Sequence, residues 1–218
     1  MSKTFSHDLF NKMPVIGIMR NIPGQYLEII AKKYYQSGLT CLEITMNSPN
    51  AEKNITALVD LYSDHLNIGA GTVCSMQDLE RALTAKAQFI VTPIINEEVI
   101  KACVSEKIPI FPGAYTPSEI YKAWALGAFM VKLFPASDLR KGYIKEVLTP
   151  LNFIDVMPTG GVTLDNFMDY LAEGAKAVGI GSHLFPKDMI KMEDWDALSE
   201  VYVQFVKKYT DFLMRKSL

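Results

Sequence analysis

Residues 129–182, FMVKLFPASDLRKGYIKEVLTPLNFIDVMPTGGVTLDNFMDYLAEGAKAVGIGS, decide the fold. They hold three short apolar or β-branched runs, FMVKLFP from Phe129, FIDVMPTG from Phe153 and AVGIGS from Ala177, whose starts lie 24 residues apart. Such runs, with longer polar stretches and no two-residue hairpin turn between them, read as buried strands joined by helical crossovers. The rhythm continues outward towards the N-terminus in IPIFPGA from Ile108, QFIVTP from Gln88, NIGAGTV from Asn67, LTCLEITM from Leu39 and PVIGIMR from Pro14. Eight strands alternating with eight helical stretches predict an α/β chain folded as a (β/α)8 TIM barrel.

The stretches between the strands carry apolar residues three and four apart: Tyr26, Ile29, Ile30 and Tyr34 after the first strand, and Ile55, Leu58 and Leu61 after the second. Ser75, Thr116-Pro117-Ser118 and Asp165-Asn166 mark helix starts, because short polar side chains satisfy free backbone N–H groups there. From Asp194 onward, Leu198, Val201, Tyr202, Phe205, Tyr209 and Phe212 form one stripe, expected to be a closing helix over about 194–215. A short helix is expected over about 5–12, so residues 1–218 read as one barrel domain. An open doubly wound sheet would call for a glycine-rich turn after the first strand, and Met19-Arg20-Asn21-Ile22-Pro23 is not one.

A chain of 218 residues with 49% hydrophobic content can hide roughly 70% of its unfolded surface. With 22 Lys+Arg against 24 Asp+Glu, net charge −2, there is no basic footprint for nucleic acid or an acidic membrane. MSKTFSHDLFNKM lacks a signal-peptide apolar core, and no apolar run suggests a membrane span. Cys41, Cys74 and Cys103 are odd in number and in no CxxC spacing, which argues against disulfides and zinc and for a reducing, cytoplasmic setting. His7, His65 and His183 are scattered, so no metal site is expected.

In such a barrel the chemistry sits at the C-terminal strand ends, which here bring Arg20, Glu43, Thr45, Asn47, Thr72, Pro93, Thr116, Lys132, Thr159-Gly160-Gly161 and Gly181-Ser182 to one rim. Lys132 is the only charge in AFMVKLFPA and shares a strand face with Met130 and Phe134. A buried lysine loses its proton more readily, which suits an amine that attacks a carbonyl. The structural alternative is a snorkelling or ion-paired lysine. Glu43 shares its face with Cys41, Thr45 and Asn47 and is placed to move protons near Lys132, or to form a structural salt bridge with it. The glycine-bearing loops after strands seven and eight suit a phosphate held by backbone N–H groups, with no excess lysine needed. Arg20 is a candidate carboxylate or phosphate ligand.

On these residues the sequence resembles the 2-keto-3-deoxy-6-phosphogluconate (KDPG) and 4-hydroxy-2-oxoglutarate (KHG) aldolase family. The matching stretches, in order, are PVIGIMR, LEITMNSPNA, IGAGTV, FIVTP, IPIFPGAYTPSE, VKLFPAS, MPTGGVTLDN and GIGSHLF. The resemblance implies a metal-independent aldehyde-lyase without a cofactor, in a homotrimeric barrel, with pyruvate and a phosphorylated keto acid as its small-molecule ligands. Lys132 would form the imine and Glu43 would be the general acid/base. Thr72 and Pro93 would line the pyruvate end, Phe134 would pack beside the imine, Thr159 would lie near the reacting carbons, and Gly160, Gly161 and Ser182 would hold the phosphate. Asn47, a substrate-binding position by the resemblance, stands where the family usually has an arginine for the pyruvate carboxylate; asparagine offers hydrogen bonds but no charge, leaving that task to Arg20, Thr72 and water. Asn47-Ser48-Pro49 looks like relatives that cleave the galactonate epimer, whereas Thr159 in PTGG looks like the gluconate enzymes. A phosphosugar isomerase or epimerase with Glu43 as base, and a non-catalytic phosphosugar-binding barrel, are the other readings.

Overall fold

The computed structural model describes residues 4–216. Its strands are β1 Val15–Met19, β2 Cys41–Thr45, β3 Asn67–Gly71, β4 Ile90–Thr92, β5 Ile110–Ala114, β6 Val131–Leu133, β7 Val156–Pro158 and β8 Val178–Ile180. Each lies inside the run expected for it. They pair in parallel in the order β7-β6-β5-β4-β3-β2-β1-β8, and a parallel bridge between Thr159 and Gly179 closes the ring. The sheet is therefore a (β/α)8 barrel and not an open sheet.

The helices are α1 His7–Lys12, α2 Leu27–Gln36, α3 Ala51–Tyr62, α4 Met76–Thr84, α5 Glu97–Ser105, α6 Pro117–Ala125, α7 Tyr143–Leu148, α8 Phe167–Ala172, α9 Lys187–Lys191 and α10 Trp195–Lys216. Among the described residues none is long and apolar enough to cross a membrane. Ser75 caps α4 by accepting from the Asp78 N–H. Thr116 and Glu119 form a reciprocal capping box on α6, with Pro117 in its first turn, where a missing N–H costs nothing.

Two expectations shift. The Asn166 side chain does not cap α8; a helical turn already begins at Thr163, whose Oγ1 accepts from the Asp165 and Asn166 N–H groups. Leu61 is 56% exposed, because α3 buries Ile55, Leu58, Val59 and Tyr62 instead, the set that shares one face at helical period.

Strand alternation divides the interior in two. Outward side chains such as Leu42, Ile44, Val131 and Leu133 pack under the helices. Inward ones, including Ile16, Cys41, Phe89, Val91, Phe111, Met130 and Met157, fill the lower barrel. That lower layer is stoppered by α1 and the residues before it. Phe5 packs on Phe89 and Phe10 on Phe111, with ring centroids 5.8 and 5.9 Å apart. Asn67 accepts from the Ser6 N–H at 2.7 Å and donates to the Ser6 carbonyl at 2.8 Å. With the bottom filled, only the C-terminal mouth is left open for a ligand.

Candidate active site

Two ionisable side chains stand just above the filled layer, and Lys132 borders the mouth. Lys132, in the middle of β6, is 4% exposed, and Glu43, in the middle of β2, is 1% exposed. Both point inward because they stand two residues above the inward-facing Met130 and Cys41. Neither oxygen of the Glu43 carboxyl has a hydrogen-bond partner. Burial pushes the Glu43 carboxyl up, against the pull of Lys132 and Arg20. Burial likewise pushes the Lys132 ammonium down, opposed by Glu43 and reinforced by Arg20. A low-dielectric site thus drives both groups towards their uncharged forms. Room for the carboxyl comes from Gly71 at the end of β3, where a Cβ would overlap Cδ and Oε1 of Glu43.

The rim supplies the other groups. Arg20, exposed just past β1, donates from Nη2 to Thr72 Oγ1 at 3.5 Å. Thr72 has φ 57°, a left-handed conformation that a β-branched residue adopts only under constraint and that concentrates at functional sites. The Lys132 Nζ lies 5.0 Å from the Phe134 ring centroid. Thr159 is 4% exposed, and the loop after it turns through Gly160 and Gly161 at φ 93° and 69°, where side chains would be strained.

A cavity of about 730 Å³ opens here and brings together Arg20, Lys132, Phe134, Thr159, Gly160, Gly161 and Ser182. Another depression of about 580 Å³, between α3 and α4, is crossed by the exposed Glu52–Arg81 ion pair and holds none of the buried ionisable groups.

Four of the residues expected at the site stand apart from the cavity wall; one is Glu43, buried behind that wall against Gly71. Asn47 is exposed in the turn after β2; alternation was carried two residues past the strand's end at Thr45, where it no longer applies. Pro93 packs its backbone over Gly113 of β5, and Thr72 reaches the site through Arg20. The cavity also takes in Tyr26, His183, Lys187, Ile190 and Lys191, which sequence reasoning passed over. The last four follow Ser182 within nine residues, and the i, i+4 spacing of the two lysines was the available signal. Cys74 is half-buried; burial pushes the Cys41 and Cys103 thiols up to about 12. Among the described residues, no three His, Cys, Asp or Glu side chains gather as a metal cluster would.

The sequence profile described as KDPG and KHG aldolase matches residues 7–201. The chain belongs to this aldolase family. Its members are carbon–carbon lyases, and this chain is one of them. The 2-dehydro-3-deoxy-6-phosphogalactonate aldolase of Escherichia coli K12 is 36% identical over 176 residues, covering 80% of this chain and 85% of that protein. The solved structure described as native KDPGal superposes with a TM-score of 0.87 at 31% identity, over 97% of this chain and all of the other. The KDPG aldolase of Legionella pneumophila, solved with pyruvate captured as a covalent carbinolamine, has a TM-score of 0.83 at 27% identity, covering 89% of this chain and 95% of that one. The barrel and the aldolase class thus agree across sequence and structure.

Proposed function

We propose that the chain is a Schiff-base aldolase that cleaves a six-carbon 2-keto-3-deoxy-6-phospho sugar acid to pyruvate and glyceraldehyde 3-phosphate, without a metal or other cofactor. The observation that carries the reading is Lys132, 4% exposed at the barrel mouth with its ammonium pushed down by burial, beside the unpartnered carboxyl of Glu43. The neutral amine attacks C2, and the protonated Glu43 carboxyl gives its proton to the C2 oxygen. Proton transfer from nitrogen to that hydroxyl releases water and leaves an iminium. The Glu43 carboxylate takes the C4 hydroxyl proton, the C3–C4 bond breaks, and its electron pair flows into the iminium to give an enamine and the aldehyde. Glu43 returns the proton to C3, and water hydrolyses the pyruvate iminium.

Arg20 and Thr72 are assigned to the pyruvate carboxylate, Phe134 to the face of the imine, and Gly160, Gly161 and Ser182 to the phosphate. The gluconate epimer is favoured, because of the two conflicting sequence signals only Thr159 lines the cavity, whereas Asn47 is in the solvent-exposed turn. The 36% identity to the E. coli phosphogalactonate enzyme favours the other epimer; a lactate-dehydrogenase-coupled pyruvate assay on both epimers decides between them. Cleavage of 4-hydroxy-2-oxoglutarate to pyruvate and glyoxylate belongs to the same reading.

The decisive experiment is borohydride reduction in the presence of pyruvate, followed by peptide mass mapping. A pyruvate adduct is expected on Lys132 and none in Lys132→Arg, whose guanidinium keeps charge but cannot form an imine. Wild-type protein that turns over substrate without a trappable adduct would return the barrel to isomerase or epimerase chemistry. A homotrimer is part of the proposal, checked by sedimentation equilibrium; a monomer would remove it.

A further inference from the structure

The barrel-mouth cavity is lined by four cationic side chains, Arg20, Lys132, Lys187 and Lys191, and by no aspartate or glutamate, in a chain whose net charge is −2. Lys187 and Lys191 occupy positions i and i+4 of α9, with Ile190 one position before the second. That spacing places all three on one helix face, and all three border the cavity. Among the described residues neither lysine is in an ion pair, whereas Lys33, Arg81 and Lys86 elsewhere on the surface are each paired with a carboxylate. The wall that carries them is fastened in place. Glu193, in the turn after α9, accepts from the Tyr26 hydroxyl at 2.8 Å, and the Tyr26 ring packs on Trp195 with centroids 5.2 Å apart. This latch ties α9 to the loop that follows β1. Lys187 stands five residues after Ser182 on the same segment, so the lysine pair follows directly on the loop after β8 that borders the cavity.

We infer that Lys187 and Lys191 are specificity-determining residues, charging the part of the cavity wall that follows Ser182 so that a keto acid ending in a dianionic phosphate is chosen over one ending in a single carboxylate. The inference rests on the aldolase reading and goes beyond it. Backbone N–H groups of a glycine loop donate to any acceptor oxygen. Two unpaired ammonium groups separate a charge of two from a charge of one, because the Coulomb term grows with the ligand's charge.

The test compares kcat/KM on the phosphorylated six-carbon acid with kcat/KM on 4-hydroxy-2-oxoglutarate, for wild type, Lys187→Met, Lys191→Met and the double variant. Methionine keeps the apolar stem and removes the charge. The double variant is expected to lower the ratio of the two about tenfold, mainly through KM on the phosphorylated substrate, and the corresponding arginine variants to keep the ratio within about twofold. An unchanged ratio, or both substrates losing in equal proportion, would overturn the inference. Absence of a pyruvate adduct at Lys132 in wild type would instead overturn the aldolase reading. In that event inorganic phosphate serves as the probe: thermal stabilisation by phosphate in wild type that vanishes in the double methionine variant upholds the lysine pair, and equal stabilisation of both rejects it.

Discussion

At Lys132 and Glu43, burial and charge pull in opposite directions. Burial lowers the lysine and raises the glutamate, while each partner's charge works against the change. The sign of two perturbations follows. Arg20 adds positive charge that lowers Lys132 further, so Arg20→Met should move the acid limb of pyruvate trapping to higher pH. Glu43 contributes negative charge that raises Lys132, so Glu43→Gln should move the same limb to lower pH. The check is the pH dependence of borohydride trapping at saturating pyruvate; shifts in the same direction would refute this electrostatic account. Gly71 is the steric counterpart. A Cβ there meets the Glu43 carboxyl, so Gly71→Ala should cost about 1–3 kcal/mol by overpacking and displace the carboxyl. In a Glu43→Ala background the same change should cost close to nothing, as measured by urea unfolding, since the clashing group is gone. Lys132 was legible in the sequence because it is a lone charge in an apolar strand, and Glu43 because period-two alternation puts it inside. Gly71 was not, since its role is a contact between two strands that no local pattern records. Asn47 is exposed rather than inward-facing because the strand ends two residues before it.

Strands and helices were more legible than their ends. Each strand run was readable from its β-branched and apolar residues, yet β4, β6, β7 and β8 keep only three residues apiece, because the rest of each run is split between the approach to the strand, which packs into the lower barrel at Phe89 and Met130, and the rim after it. The Thr116-Pro117-Ser118 start was readable from capping chemistry alone. The start of α8 directly after Asp165-Asn166 was readable too, but not that Thr163, rather than Asn166, supplies the side-chain acceptor there. The least legible element in function is α1. Its sequence marks a short helix, but only the fold shows that Phe5 and Phe10 close the bottom of the barrel. Phe10 is 3% exposed and packs on Phe111 and Phe129, so Phe10→Ala should cost about 3–5 kcal/mol by losing burial and leaving a cavity. The lesion lies at the end of the barrel opposite Lys132. Below the melting transition the fraction of protein trapped with pyruvate should therefore match wild type; a proportional loss of trapping would show that the stopper shapes the mouth as well.

Across the whole molecule, the charge arithmetic of the sequence needed the fold to acquire meaning. A net charge of −2 excluded a basic surface and left a bound phosphate to glycine N–H groups alone. Folding sorts the charges: several surface cations pair with carboxylates, as Lys33 does with Asp196 and Lys86 with Asp60, while the cavity wall collects Arg20, Lys187 and Lys191, and the neighbouring acid, Glu43, is buried behind it. A positive cleft in a slightly acidic molecule focuses its field on the opening and draws anionic ligands there. Because these cations are exposed, salt screens them; the Debye length falls from ~10 Å at 0.1 M to ~3 Å at 1 M. Between those concentrations KM for the phosphorylated keto acid should therefore rise about three- to tenfold while kcat stays nearly constant, because the imine and proton-transfer groups are buried. KM for pyruvate in the reverse, condensing direction should rise less, since it carries one negative charge where the phosphorylated acid carries about three. Steady-state kinetics across an ionic-strength series provide the measurement. Parallel salt dependences for the two ligands would mean that the mouth cations act on the carboxylate common to both and leave the phosphate to the glycine loops.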